Sequence, residues 1–314
     1  MRRLALLTLL LACSPTGDSS DDSTTTATPL PTGTSSDTGT AAPTSAAPTG
    51  TTDDTSTTTA APASSTTAVD PGTGATTTGE TSTTTTTADD TSTGAPVDPN
   101  INIDPSQGMG GPISPGTSAL TPLGAEIYIP TTYNPGQLAS PVIWLFNETL
   151  DQWTGATQAD AAILVDLHEY NDTQKIVAKL NETLDILDVQ YNVDRGRYYW
   201  AGWSAGGNIV VIIGTQNQDT LAGTMVFPGT GGQQAQQAIA AWQGHKLRMY
   251  YACGEADPNF DHNAVQFEAD TWKNQYGYTT RFDLVPGAPH YLDENTYKVR
   301  DAAWQWMRGF NLKN

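Results

Sequence analysis

Seven short apolar runs punctuate the chain beyond residue 120: AEIYIP (125–130), PVIWLF (141–146), AAILVDL (161–167), RYYWAG (197–202), AGTMVF (222–227), LRMYYAC (247–253) and TRFDLV (280–285). Each is bounded by turn residues, and together they predict strands. Longer stretches with helical spacing lie between several of them. In 175–191, Ile176, Leu180, Leu184 and Leu187 recur every three or four positions, and 207–216, 262–276 and 295–310 have the same character. Strands alternating with helices predict an α/β fold, a mostly parallel, doubly wound sheet covered on both faces.

The chain before that point has a different pattern. No lysine or arginine occurs between Arg3 and Lys175, and Thr, Ser, Ala, Pro, Gly and Asp dominate as far as Asp104. Such a segment buries too little apolar surface to offset its ordering entropy, so residues 13–112 are expected to form a disordered, low-complexity stalk. Its Thr/Ser runs, which have no fixed repeat period, would also accept O-linked sugar. A Gly/Pro-rich joint, DPSQGMGGPISPG (104–116), leads into a domain expected over 113–314, a length of roughly 200 residues that suits a single core.

At the start, MRRLALLTLLLACS places an apolar run, Leu4 to Ala12, directly before Cys13. The run is too short to span a bilayer. It resembles a bacterial lipoprotein signal, in which residues 1–12 are removed and Cys13 carries the lipid; the alternative is an ordinary secretory signal with an incidental cysteine. The first reading implies a bacterial cell-envelope location and a membrane partner reached through Cys13. Cys253 is the only other cysteine, so the domain must hold together without an internal disulfide.

Charge narrows the partners. The formal net charge is −19, and residues 121–314 hold 21 acidic against 12 basic side chains. With no basic stripe to neutralise phosphates, nucleic acid is excluded as a partner, and a monomer acting on a small-molecule or polymer-borne substrate is expected.

The candidate chemistry centres on YYWAGWSAGGNIVV (198–211), where Gly202-Trp203-Ser204-Ala205-Gly206 joins a predicted strand to a predicted helix. A serine at such a seam takes a strained backbone, and the flanking glycines leave room where a Cβ would clash. A serine hydroxyl needs a base, itself oriented by a third group. Of the four histidines, His168 precedes the serine, His245 leads into a strand before any suitable acid, and His262 lies only five residues after Asp257. His290, just past the last predicted strand, remains. Asp257, after LRMYYACG, is the candidate acid, giving the order Ser204, Asp257, His290. Read blandly, Asp257-Pro258 initiates a turn and His290 is a loop histidine. DPNFDH (257–262) also invites a metal reading, but two Asp and one His on one short loop rarely close a coordination sphere, and no metal is expected.

The segments VDRGRYYWAGWSAGG, CGEADP and PGAPH resemble the nucleophile, acid and histidine segments of the α/β-hydrolase superfamily, and within it the small secreted esterases related to polyhydroxybutyrate depolymerases and feruloyl or acetylxylan esterases. The likeness covers about 120–314. It implies an acyl-serine mechanism on esters through Ser204, Asp257 and His290, with no cofactor. One place departs from the pattern: Phe146-Asn147-Glu148 stands where such enzymes carry His-Gly-x, the source of an oxyanion donor. Ala205 N–H supplies one donor, and the Glu148 N–H or the Asn147 amide the second; a Glu148 carboxylate here would repel acidic substrates. No long insertion forms a lid, so an open cleft is expected, with Trp153 and Trp203 as its walls. Two other readings stand beside the esterase: a non-catalytic binding module on the same scaffold, and a serine peptidase, which the lack of a lid or propeller disfavours.

Overall fold

The computed structural model describes residues 102–313. The expected leader (1–12), Cys13 and all but the end of the stalk lie outside the described residues. The strands are β1 (Thr117–Leu120), β2 (Glu126–Ile129), β3 (Ser140–Phe146), β4 (Ile163–Asp166), β5 (Val193–Trp203), β6 (Gly223–Phe227), β7 (Arg248–Gly254) and β8 (Thr279–Val285). They form one sheet in the order β1-β2-β4-β3-β5-β6-β7-β8. The β1–β2 and β2–β4 pairs are antiparallel, and every pair from β4 to β8 is parallel.

The central strands are apolar almost throughout because both faces are covered. Alternate side chains enter opposite cores. Val142, Trp144 and Phe146 of β3 join one, with α2 (Thr173–Gln190), α3 (Ala205–Gln216), α4 (Gly232–Ala241) and α5 (His262–Tyr276) packed over them. Ile143 and Leu145 join the other, beneath α1 (Leu150–Thr157) and α7 (Val299–Met307). Parallel strands place all their carboxyl ends along one edge, where the loops after β3, β5, β7 and β8 meet.

The structure departs from the sequence expectations in a few places. β1 is exposed along its whole length, so no buried face marks it in the sequence. The helices α1 and α4 were not expected either; each buries few large apolar groups, and α4 only Ala235 and Ile239. The helix expected over 295–310 is broken at Lys298, whose φ is 54°. The break, between α6 (Glu294–Tyr297) and α7, lets the Glu294 carboxylate accept from Arg300 N (2.7 Å) and Asp301 N (3.0 Å), groups at the start of α7 that have no intrahelical partner.

The joint at 104–116 is also not a free linker. Ile103 N and Asp104 N each donate to the Asp194 carboxylate at 2.9 Å, Ser106 Oγ donates to Tyr191 O at 2.6 Å, and Ile113 N donates to Tyr191 OH at 3.0 Å. The glycines serve close approach here: a Cβ on Gly108 would sit 2.4 Å from Tyr191 O, and one on Gly111 2.3 Å from the Tyr191 ring. The segment from 102 is therefore part of the domain, whose expected start was 113.

Asp194 is the anchor of this strap. It is fully buried, and besides the strap amides it accepts from Gly196 N (3.0 Å) and pairs with Arg197 Nε (2.9 Å). Removing the carboxylate breaks a buried, hydrogen-bonded ion pair and takes away the acceptor of the strap amides. Asp194→Ala should therefore destabilise the domain by about 3–5 kcal/mol in urea titrations and expose 102–113 to limited proteolysis; a loss below about 1 kcal/mol with the strap still protected would contradict this assignment.

Candidate active site

β5 ends at Trp203 and α3 begins at Ala205, so Ser204 turns the chain alone, with φ 56° and ψ −120°. A non-glycine residue in this region costs on the order of 1–3 kcal/mol and persists only where its surroundings enforce it. The surroundings are crowded main chain. A Cβ on Gly202 would lie 2.5 Å from Gly206 O, one on Gly206 2.0 Å from Phe146 O, and one on Gly207 2.5 Å from Pro228 O. Ser204 N donates to Phe227 O (3.2 Å) and Pro228 O (3.0 Å), which fixes the bend against the end of β6.

The loops after β7 and β8 are knitted together below the serine. Glu255 N donates to Val285 O (3.0 Å), Ala256 N to Ala288 O (2.9 Å), and Gly287 N to the Glu255 carboxylate (2.9 Å). Gly254 permits the contact, since a Cβ there would meet Ala288 O at 2.3 Å and Pro289 O at 2.4 Å. Asp257 Oδ1 accepts from Asn259 N (2.7 Å) and Phe260 N (3.0 Å), which aims Oδ2 at His290 Nδ1, 2.8 Å away. His290 Nε2 lies 2.9 Å from Ser204 Oγ. A carboxylate on Nδ1 selects the tautomer with its proton there and leaves Nε2 free to accept from the serine hydroxyl. The imidazole is stacked on Phe260, with rings 5.6 Å apart and 3° from parallel, and its main-chain carbonyl accepts from Trp203 Nε1 at 3.1 Å.

The Ala205 N–H, at the first position of α3, has no carbonyl a turn earlier within the helix to receive it. Opposite it, Asn147 takes φ 55° and its Nδ2 donates to Trp203 O (3.1 Å), tying the loop after β3 to the bend. The Glu148 side chain turns inward. It is 1 % exposed, and both carboxylate oxygens face Arg300 NH2, at 2.9 and 3.1 Å. Burial pushes this carboxyl above its ordinary range while Arg300 pulls it back down. The Glu148 carboxylate, expected to face acidic substrates, is instead paired with Arg300 within the protein.

A cleft of about 430 Å³ is bordered by Asn147, Gln152, His168, Glu169, Trp203 and Tyr291 among others; it reaches the residues next to Ser204 and His290 in the chain, though neither of those two lines it. Trp203 is one of the residues lining the cleft. Trp153 is not: it is fully buried and packs edge-on against Phe227, because its face of α1 is the one turned to the core. His168 at the end of β4 (φ 48°) lies between Asp166 (3.2 Å) and Glu126 (3.3 Å). Sequence reasoning set His168 aside as a base and gave no role to Tyr291 or Arg300; only Tyr291, as the neighbour of His290, carried any signal.

Cys253 is a buried free thiol two strand positions from the acid loop; burial first, then the nearby Asp257 and Asp261 carboxylates, push its pKa up to about 12. It is therefore an inert packing residue. The Asp261 carboxylate caps α5 by accepting from Asn263 N (3.0 Å), and among the described residues no group of three or more His, Cys, Asp or Glu is placed to hold a metal.

Comparison with solved structures finds matches of low identity. Similar solved structures include Est1E from Butyrivibrio proteoclasticus (13% identity, covering 62% of this chain and 98% of that one, TM-score 0.44). An S-formylglutathione hydrolase from Agrobacterium tumefaciens (12%, 61% and 93%, TM-score 0.46) and the feruloyl esterase module from Clostridium thermocellum (16%, 69% and 95%, TM-score 0.47) are similar in the same way. No curated protein matches the sequence. The profile of the dienelactone hydrolase family, however, matches residues 133–310, a span that contains the bend at Ser204 and both loops that meet it, and the chain belongs to that family of α/β-hydrolases.

Proposed function

We propose that this hydrolase is a carboxylic ester hydrolase working through an acyl-serine intermediate, with Ser204 as nucleophile, His290 as base and Asp257 as its orienting acid. The observation that carries the reading is the unbroken hydrogen-bonded chain from Asp257 Oδ2 through the imidazole to Ser204 Oγ, with links of 2.8 and 2.9 Å. Attack of Oγ on the ester carbonyl passes the hydroxyl proton to His290 Nε2, and Asp257 stabilises the imidazolium. The oxyanion is received by the N–H groups of Ala205 and Glu148. Collapse expels the alcohol, which takes the proton from Nε2. Water, deprotonated by the same nitrogen, then attacks the acyl-serine; collapse releases the acid as Nε2 returns the proton to Ser204 Oγ. The open cleft, walled by Trp203 and the exposed Tyr291, suits bulky or polymer-borne esters.

The leader resemblance supports a second element of the proposal, a lipid tether at Cys13 with the Thr/Ser-rich segment as a spacer, holding the enzyme at a bacterial cell surface. No helix among the described residues is long and apolar enough to cross a membrane.

Three outcomes test these proposals. A fluorophosphonate probe should label the wild type and not Ser204→Ala, whose kcat on short p-nitrophenyl esters should fall by at least about 10⁴-fold; an unlabelled wild type, or a variant that keeps its label, would refute the nucleophile. Asp257→Asn leaves the site's shape intact but favours the wrong imidazole tautomer, so kcat should drop by about 10⁴ with KM nearly constant. A loss below about tenfold would remove Asp257 from the mechanism. Cys13→Ala should move the protein from the membrane fraction to the soluble fraction of its expressing bacterium, whereas unchanged partitioning would rule out the lipid tether.

A further inference from the structure

The loop that would carry the second oxyanion donor lacks the expected His-Gly, which raises the question of what holds it. The answer is a side chain distant in sequence. Arg300, fully buried on α7, reaches three places at once. Its NH2 pairs with both Glu148 oxygens, its NH1 donates to Leu292 O two residues beyond His290, and its guanidinium lies over the Phe227 ring, 5.0 Å from the centroid. Phe227 is also the residue whose carbonyl accepts from Ser204 N. Arg300 N is itself held by Glu294 at 2.7 Å, so the side chain departs from a fixed point. Arg300 Nε, by contrast, is buried with no hydrogen-bond partner among the described residues. A buried donor left unsatisfied has a cost. The guanidinium is thus oriented by its two loop contacts at the expense of its own complete pairing.

We infer that Arg300 is a positioning residue: by gripping Glu148 at one end and Leu292 at the other, it fixes the oxyanion-donor loop relative to the loop that carries the base. This rests on the ester-hydrolase reading above and adds to it the side chain that couples donor to base. It also fits the choice of arginine, because the planar fork serves two directions together while a lysine ammonium on a flexible stem would serve one.

Breaking the coupling should weaken transition-state stabilisation more than substrate binding. Removing Arg300 alone leaves a buried carboxylate unpaired and is destabilising for that reason, so the informative variant replaces both partners: Glu148→Met with Arg300→Met, a change that buried ion pairs often tolerate. With p-nitrophenyl butyrate, this double variant should lose about 100-fold in kcat, the scale of one oxyanion donor, with KM changed less than about threefold. The second readout is the rate ratio of that ester to its thionoester, whose sulfur is larger and a poorer acceptor in an oxyanion site. The ratio should shrink by at least about tenfold in the double variant, and Arg300→Lys, which keeps the contact to Glu148 only, should fall between it and wild type. A purely structural role would lower the thermal midpoint and leave kcat and the ratio unchanged in whichever of the two variants folds, which would overturn the inference. If the wild type cleaves neither ester, it is the ester-hydrolase reading that fails.

Discussion

The bend at Ser204 is the constraint on which the remainder of the structure depends. A residue with φ 56° and ψ −120° is stable only if its neighbours leave no relaxed alternative. Here they are carbonyl groups of three adjacent strands and the first turn of α3, packed so closely that Gly202, Gly206 and Gly207 are required. The central parallel strands supply those carbonyls because the sheet is apolar on both faces and tightly packed. Core packing and the presentation of the hydroxyl are thus one arrangement.

The other groups reach the hydroxyl from loops at the same sheet edge, and each loop is held by contacts within the protein. Main-chain hydrogen bonds and the bare Gly254 join the acid loop to the histidine loop. Asn147 ties the loop after β3 to the bend, and Arg300 spans from that loop to the histidine loop. In the proposed reaction, such pre-organisation would let fixed dipoles meet a developing charge without reorganising.

Much of this was legible in the sequence because it is written in local patterns. The seven apolar runs mark β2 to β8, and glycines around a serine at a strand-to-helix seam have a steric meaning independent of the whole fold. Other features depend on partners far along the chain and leave no local trace. β1 has no buried face, and Lys298 interrupts a helical pattern because Glu294 is needed to satisfy the start of α7. Gly108 and Gly111 resemble a flexible linker until Tyr191 is placed beneath them. Trp153 and Arg300 mislead for opposite reasons: a tryptophan near the site is core, and a charged residue on a late helix is buried at the centre of the loops.

The central claim is that Ser204 Oγ is the reacting atom and that the loop at Asn147-Glu148 completes its anion site despite lacking His-Gly. A crystal structure of the phosphonate-inhibited protein tests this most directly. The account predicts phosphorus bonded to Ser204 Oγ, with one phosphonyl oxygen about 2.7–3.1 Å from both Ala205 N and Glu148 N. A phosphonyl oxygen turned to solvent, or phosphorus on any other residue, would contradict it.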